Sequence, residues 1–142
     1  MEKTLLDLVH QLGQHLDAAY EKRAPGNDVT LRQLAVLRAT REWDGVSQKA
    51  LVEKTGIDRS TLADVLKRLK AKGLVSKHRN KHDARAYVVR CTTEGARIII
   101  KYQPAAIAVE HAALQALQRA EVESFLKMLR CTIEHLEKAA NE

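Results

Sequence analysis

Ser47–Cys91 reads SQKALVEKTGIDRSTLADVLKRLKAKGLVSKHRNKHDARAYVVRC, and its local signals set the order of its elements. Ser47 can cap a short helix through Ala50, Leu51 and Val52, and Gly56 stands where a tight turn needs a positive φ. Asp58 then caps a second helix whose Leu62, Val65, Leu66 and Leu69 share one face, and Lys72-Gly73 ends it with a cation against the negative helix end. Two short helices joined by three or four residues make a helix-turn-helix. Beyond it, Leu74–Lys77 and Ala86–Cys91 read as strands, the second with Tyr87, Val89 and Cys91 on one face. They enclose the basic tip His78-Arg79-Asn80-Lys81-His82-Asp83-Ala84-Arg85. A two-stranded hairpin directly after the second helix predicts a winged helix, with the helix suited to a major groove and the tip to phosphates or a minor groove.

Charge gathers in the same segment. Between Ser47 and Arg90 twelve Lys and Arg stand against four acids, while the rest of the chain holds twelve against fourteen. The formal charge of +6 is therefore concentrated in the middle third, as in a module that faces a polyanion. Charge by itself is equally explained by a solvated basic surface, so its weight comes from the helix-turn-helix beneath it.

Outward from this centre the chain is helical. Leu5, Leu8, Val9, Leu12, Leu16 and Tyr20 recur at three- and four-residue spacing and predict a helix that buries this stripe, ended by Ala24-Pro25-Gly26-Asn27-Asp28. Thr30 and Gln33 form a capping box for a helix from Leu31 through Leu34, Leu37 and Arg41, stopping near Trp43. Thr92 caps a helix through Ile98, Ile99 and Ile100, and Pro104 is expected to kink or divide the stretch that reaches about Leu117. Val122, Phe125, Leu126, Leu129, Ile133 and Leu136 form a last apolar stripe. The expected architecture is mainly α, one domain over 1–142, with a winged helix at about 30–92. The helices of 1–24 and 93–142 are left for dimerisation, since they carry more apolar surface than the winged unit needs as cover. A two-fold dimer would set two recognition helices about 34–36 Å apart on a palindrome.

Composition removes other classes. With 142 residues and 45% apolar content one compact unit is expected, and 4% aromatic content favours helix packing over a sheet sandwich. No apolar run approaches the roughly 20 residues of a membrane span, and the first twenty residues are too polar for a signal segment, which predicts a cytoplasmic protein with no membrane partner. Cys91 and Cys131 lack CxxC spacing, so reduced, structurally buried thiols are expected. His10 and His15 lie off a common helical face, and His111 and His135 join no zinc-like cluster, so no metal is expected. No phosphate loop, Gly-rich dinucleotide turn or nucleophile-and-base set is present, which argues against an enzyme and for no cofactor.

Taken together, these motifs resemble the MarR family of bacterial winged-helix regulators over nearly the whole chain. Thr30-Leu31-Arg32-Gln33 is similar to the family's LTxxQ opening, and Gln48–Leu51 through Gly56–Leu62 to its helix-turn-helix. Leu69–Val75 matches the exit from the recognition helix, Asp83-Ala84-Arg85 the wing's D-x-R signature, and Thr92-Thr93-Glu94-Gly95 the LTxxG that restarts the helices. Cys91 stands where the family commonly has Leu, and Lys77 where it commonly has Arg. The resemblance implies that Arg85 enters a minor groove with Asp83 orienting it, and that a small-molecule effector can bind between the dimerisation helices and the winged unit, within reach of His15, Tyr20, Arg41 and Trp43.

The residues expected to meet DNA are then specific. Arg59, Ser60 and Thr61 occupy the first turn of the recognition helix, where Arg59 can contact guanine bidentately; Ser60 and Thr61 are also suited to plain helix capping. Lys67 lies two turns on and suits a phosphate, while Arg79 and Lys81 add wing phosphate contacts. With Asp83 and Arg85 these make the candidate interface of a ligand-responsive dimeric repressor that reads double-stranded DNA. The alternatives are a winged-helix protein-interaction scaffold and a non-specific architectural DNA binder.

Overall fold

The computed structural model describes residues 1–142. Its elements are α1 (Leu5–Arg23), α2 (Leu31–Arg41), β1 (Val46–Ser47), α3 (Gln48–Thr55), α4 (Arg59–Ala71), β2 (Val75–Arg79), β3 (Tyr87–Cys91), α5 (Thr93–Leu114) and α6 (Arg119–Ala140). No helix is long and apolar enough to cross a membrane. The one compact unit expected from length resolves into two, Met1–Ile107 and Ala108–Glu142. At 1.5 Å per residue the 22-residue α5 is about 33 Å long, more than one small core can flank, and its last residues group with α6.

The caps form where the sequence places them. Thr30 Oγ1 accepts the Gln33 amide at 3.1 Å while Gln33 Oε1 accepts the Thr30 amide at 3.2 Å, and Ser47 Oγ accepts the Ala50 amide at 3.1 Å. Behind these caps Leu34, Val36 and Leu37 of α2, Leu51 of α3, and Leu62 and Leu69 of α4 are fully buried and make the core of the first unit. Gly56 ends α3 at φ 69°. Gly73, at φ 74°, ends α4 in a Schellman motif: its amide donates to the Lys70 carbonyl at 2.9 Å and the Leu74 amide to the Leu69 carbonyl at 3.0 Å. That motif uses the Leu74 amide, so β2 opens one residue later than its apolar run suggests.

The wing differs from a two-stranded hairpin. β1 adds a third strand in the antiparallel order β1-β3-β2, with Val46 opposite Val89 and Val75 opposite Cys91. The turn at Gly45, φ 88°, brings Val46 back along β3 and buries it. Two residues carry no period-2 pattern, so nothing in the sequence marks this strand. Pro104 neither ends nor divides α5, which is continuous from Thr93 to Leu114 rather than Leu117. Proline removes one amide donor, and the turn before it is anchored by buried Ile98, Ile99 and Tyr102.

Two expectations of burial do not hold within the chain. On α1 only Tyr20 is buried, while Leu5, Leu8, Val9 and Leu12 are 42–63% exposed. The helix overhangs its own core, and amphipathic spacing does not say what covers the stripe. On α6 no residue is buried; Leu129, Ile133 and Leu136 are exposed, and so is Cys131, which sits on a helix that its own chain leaves uncovered. Cys91 is half-buried beside Thr40 and Arg41, and burial pushes its thiol up, away from reactivity.

Tyr20 and Tyr102 clamp the loop that leads into α2. The Tyr20 hydroxyl donates to the Val29 carbonyl at 2.7 Å, and burial, with the nearby Tyr102, Glu21 and Asp28, pushes it up to about 12. The Tyr102 hydroxyl donates to Asp28 Oδ2 at 2.7 Å and, with Lys101 and Lys72 adding charge, holds that carboxyl below the usual carboxylate range. Tyr20→Phe is expected to destabilise the fold by about 1–2 kcal/mol, because it strands the buried Val29 carbonyl at little cost in volume. Urea unfolding of the two proteins, compared at equal m-value, measures it.

Candidate nucleic-acid interface

The first turn of α4 is organised by one carboxylate. Asp58 Oδ1 accepts the Thr61 amide at 2.9 Å and the Ser60 hydroxyl at 2.9 Å, and Oδ2 accepts the Thr61 hydroxyl at 2.7 Å. The amide and hydroxyl of Thr61, then the hydroxyl of Ser60, hold Asp58 down to about 2, so it is ionised at neutral pH. Ser60 and Thr61 thus support the Asp58 cap rather than cap the helix themselves, Ser60 exposed and Thr61 half-buried at the helix start. Arg59 is exposed as the first helical residue, and Lys67 is exposed two turns on. Leu62, Val65, Leu66 and Leu69 take the opposite face into the core, which fixes which side of α4 is free.

The wing tip is held by its own short bonds. Asn80 Oδ1 accepts the His82 amide at 3.0 Å, the Ala86 amide donates to the Asp83 carbonyl at 3.1 Å, and Arg79 Nη1 donates to the Ala84 carbonyl at 3.3 Å. Asp83 does not orient the Arg85 guanidinium. Its Oδ1 accepts the Arg85 main-chain amide at 3.0 Å instead. A carboxylate reaches the amide two residues on within a single turn, and that ring closes at lower entropic cost than an ion pair with a long side chain. Asp83 therefore shapes the turn and leaves the Arg85 guanidinium free.

Ion pairs separate the cations further. The four pairs are Arg68–Asp64 at 3.0 Å, Arg90–Asp44 at 3.5 Å, Arg97–Glu94 at 2.6 Å and Lys101–Asp28 at 3.7 Å. Arg90 is held by charge alone, since its buried Nε has no hydrogen-bond partner. Lys72 donates to the Asp28 carbonyl. Arg59, Lys67, Arg79, Lys81 and Arg85 belong to none of these pairs. Of the twelve basic residues between Ser47 and Arg90 only Arg68 and Arg90 are in ion pairs, so Lys49, Lys54, Lys70 and Lys77 stand outside them as well.

Other residues join them. Gln48, Lys49 and Glu53 of α3 line an open cleft of about 490 Å³ with Arg59. Lys67, Lys70, Ser76 and Lys77 share a second of about 260 Å³. In sequence Lys49, Lys70 and Lys77 register only as charge; the Lys67–Lys70 spacing of three marks a shared helix face, but bringing β2 beside it takes tertiary packing. Lys77 also lies with Nζ 4.6 Å from the Tyr87 ring centre. The residues suggested for an effector pocket fare differently. Tyr20 is core with its hydroxyl engaged, Trp43 is 54% exposed with Lys54 Nζ 3.8 Å over its ring, and His15 and Arg41 are exposed.

Comparison with known proteins agrees with the fold. The MarR family model matches residues 27–86. The transcriptional regulator HosA of Escherichia coli is 32% identical over 122 residues, covering 86% of this chain and 89% of HosA. Among solved structures, Bordetella bronchiseptica BpsR, described with regulation of its DNA binding by 6-hydroxynicotinic acid, superposes at TM-score 0.84 with 26% identity, covering 92% of this chain and 93% of BpsR. A mutant MarR from E. coli complexed with operator DNA superposes at 0.79 with 26% identity, covering 90% and 92%. The chain belongs to the MarR family of winged-helix transcriptional regulators.

Proposed function

We propose that this regulator is a dimeric repressor that occupies a palindromic operator and releases it when a small molecule binds. The observation that carries the reading is the placing of Arg59, Lys67, Arg79, Lys81 and Arg85, exposed and outside every ion pair, on the recognition helix and wing, where Lys70 and Lys77 are unpaired too. Each phosphate that such a side chain neutralises releases counterion, so they supply affinity, while Arg59 with Ser60 and Thr61 supplies base contacts. Asp83 contributes by fixing the wing backbone at Arg85.

The uncovered stripes of Leu5, Leu8, Val9 and Leu12 on α1, and of Leu129, Ile133 and Leu136 on α6, support 1–24 and 93–142 as the dimerisation part, with about 30–92 as the DNA-binding part. Release by a small molecule needs a coupling of only about 1–3 kcal/mol between effector and operator. The BpsR likeness supports such a step, given that protein's response to 6-hydroxynicotinic acid.

The test is selection of genomic fragments by the purified protein at two salt concentrations, with the retained DNA sequenced. Enrichment of a short palindrome that persists at the higher salt is expected. Random fragments lost with salt would mark an architectural binder, and retention of nothing at either concentration would favour a protein-interaction scaffold.

A further inference from the structure

The Asp58 carboxylate also bears on which bases the recognition helix can read. A carboxylate ionised down to about pH 2 can only accept hydrogen bonds. At 2.9 Å and 2.7 Å, two oxygens repel unless a proton lies between them, so the single hydroxyl protons of Ser60 and Thr61 both point back to Asp58. What these hydroxyls offer outward is lone pairs alone. Ser60 is exposed and Thr61 half-buried, so those lone pairs remain open to a partner. Arg59, between cap and hydroxyls in sequence, offers only donors. The helix start is thus divided into one donor-only side chain and a set of acceptor-only oxygens.

Resting on the operator-binding reading above, we propose that Asp58 is a specificity-determining residue: by taking the Ser60 and Thr61 protons it makes these hydroxyls read an exocyclic amino group, adenine N6 or cytosine N4, and refuse N7, O6 and O4. Left free to rotate, a serine or threonine hydroxyl serves donors and acceptors alike and discriminates little. Asp58 itself need not touch DNA for this; it acts through the hydroxyls as a positioning residue.

The experiment uses the selected operator and three variants of the full-length protein. Ser60→Ala and Thr61→Val locate the base pair read by each hydroxyl, as the position where selectivity drops. At that position the amino group is then deleted, by purine for adenine or pyrimidinone for cytosine, and separately N7 is deleted with a 7-deazapurine on the same pair. The wild-type protein is expected to lose about tenfold in affinity on amino deletion and to be indifferent to N7 deletion, a factor within the range of one base contact. Asp58→Asn keeps an acceptor for the Thr61 amide, so the helix stays capped, but its amide NH₂ can donate and turns a hydroxyl proton outward. Since the Thr61 amide and Ser60 hydroxyl share Oδ1 and only the Thr61 hydroxyl faces Oδ2, this variant is expected to lose the sensitivity to amino deletion and to gain sensitivity to N7 deletion at the position read by Thr61, and to keep the wild-type response at that read by Ser60.

Wild-type protein sensitive to N7 but not to amino deletion would overturn the proposal, as would an unchanged response of Asp58→Asn at the position read by Thr61. If Asp58→Asn fails to fold, the wild-type responses at the positions found with Ser60→Ala and Thr61→Val decide alone, and the absence of any such position overturns it as well. Failure to select any operator would overturn the repressor reading itself, and is a different result from an operator read with the opposite polarity.

Discussion

Gly95→Ala is expected to destabilise the protein by about 3 kcal/mol or more and to lower Tm by roughly 10 °C, at the upper end of what overpacking costs. A Cβ at this position overlaps the Leu74 carbonyl oxygen and comes within 2.8 Å of Cys91 Sγ. The obstacle is backbone, and it cannot withdraw. The Leu74 carbonyl accepts the Thr92 amide at 3.0 Å, and Thr92 Oγ1 donates to the Gly73 carbonyl at 2.7 Å while accepting the Gly95 amide at 3.0 Å. The exit of the recognition helix and the start of α5 are thereby bolted together around the missing side chain. Gly13→Ala is the control, since a Cβ there meets nothing within 4 Å; inside α1 it should be neutral or stabilising by up to about 1 kcal/mol. Thermal and urea unfolding of both variants measures the contrast, and a Gly95→Ala protein within about 1 kcal/mol of wild type would show that the junction yields.

The second large effect is on DNA. Arg85→Ala is expected to weaken operator binding about ten- to hundredfold at fixed salt and to reduce the salt slope by about one for each wing engaged, while the dimer and Tm stay as they are. The separation is possible because Asp83 holds the main-chain amide of Arg85, which alanine retains, and the guanidinium joins no ion pair. Fluorescence anisotropy over a salt series reads the affinity, and sedimentation reads the dimer. An unchanged affinity would remove Arg85 from the interface. Asp83→Ala tests the complementary role: having lost the turn's anchor but no DNA contact, it should weaken binding less than Arg85→Ala.

Much of this regulator is legible in its sequence because its signals are local. Capping residues act over three positions, so Thr30 with Gln33, Ser47 with Ala50 and Asp58 with Thr61 are bonded as their spacing requires. The recognition helix was legible because Leu62, Val65, Leu66 and Leu69 share a face, and that face fixes the outward side of Arg59 and Lys67. The two-residue β1 was not, since pairing with β3 across forty residues leaves no local trace.

Interactions spanning a few residues are enough to specify the helices, the turn between them and the basic hairpin, and the motifs they carry mark the family. Which charges find partners depends instead on how distant segments pack. That packing turned Lys72 to the Asp28 carbonyl and Arg90 to Asp44, and it left Arg59, Lys67, Arg79, Lys81 and Arg85, like Lys49, Lys54, Lys70 and Lys77, outside every ion pair. The Asp83 carboxylate on the Arg85 amide and the Ser60 and Thr61 protons on Asp58 are by contrast local, closed within two or three residues. Reach separates the two: a cap or a helical face is closed by neighbours along the chain, whereas the partner of a long charged side chain is whichever group the fold brings within about 4 Å.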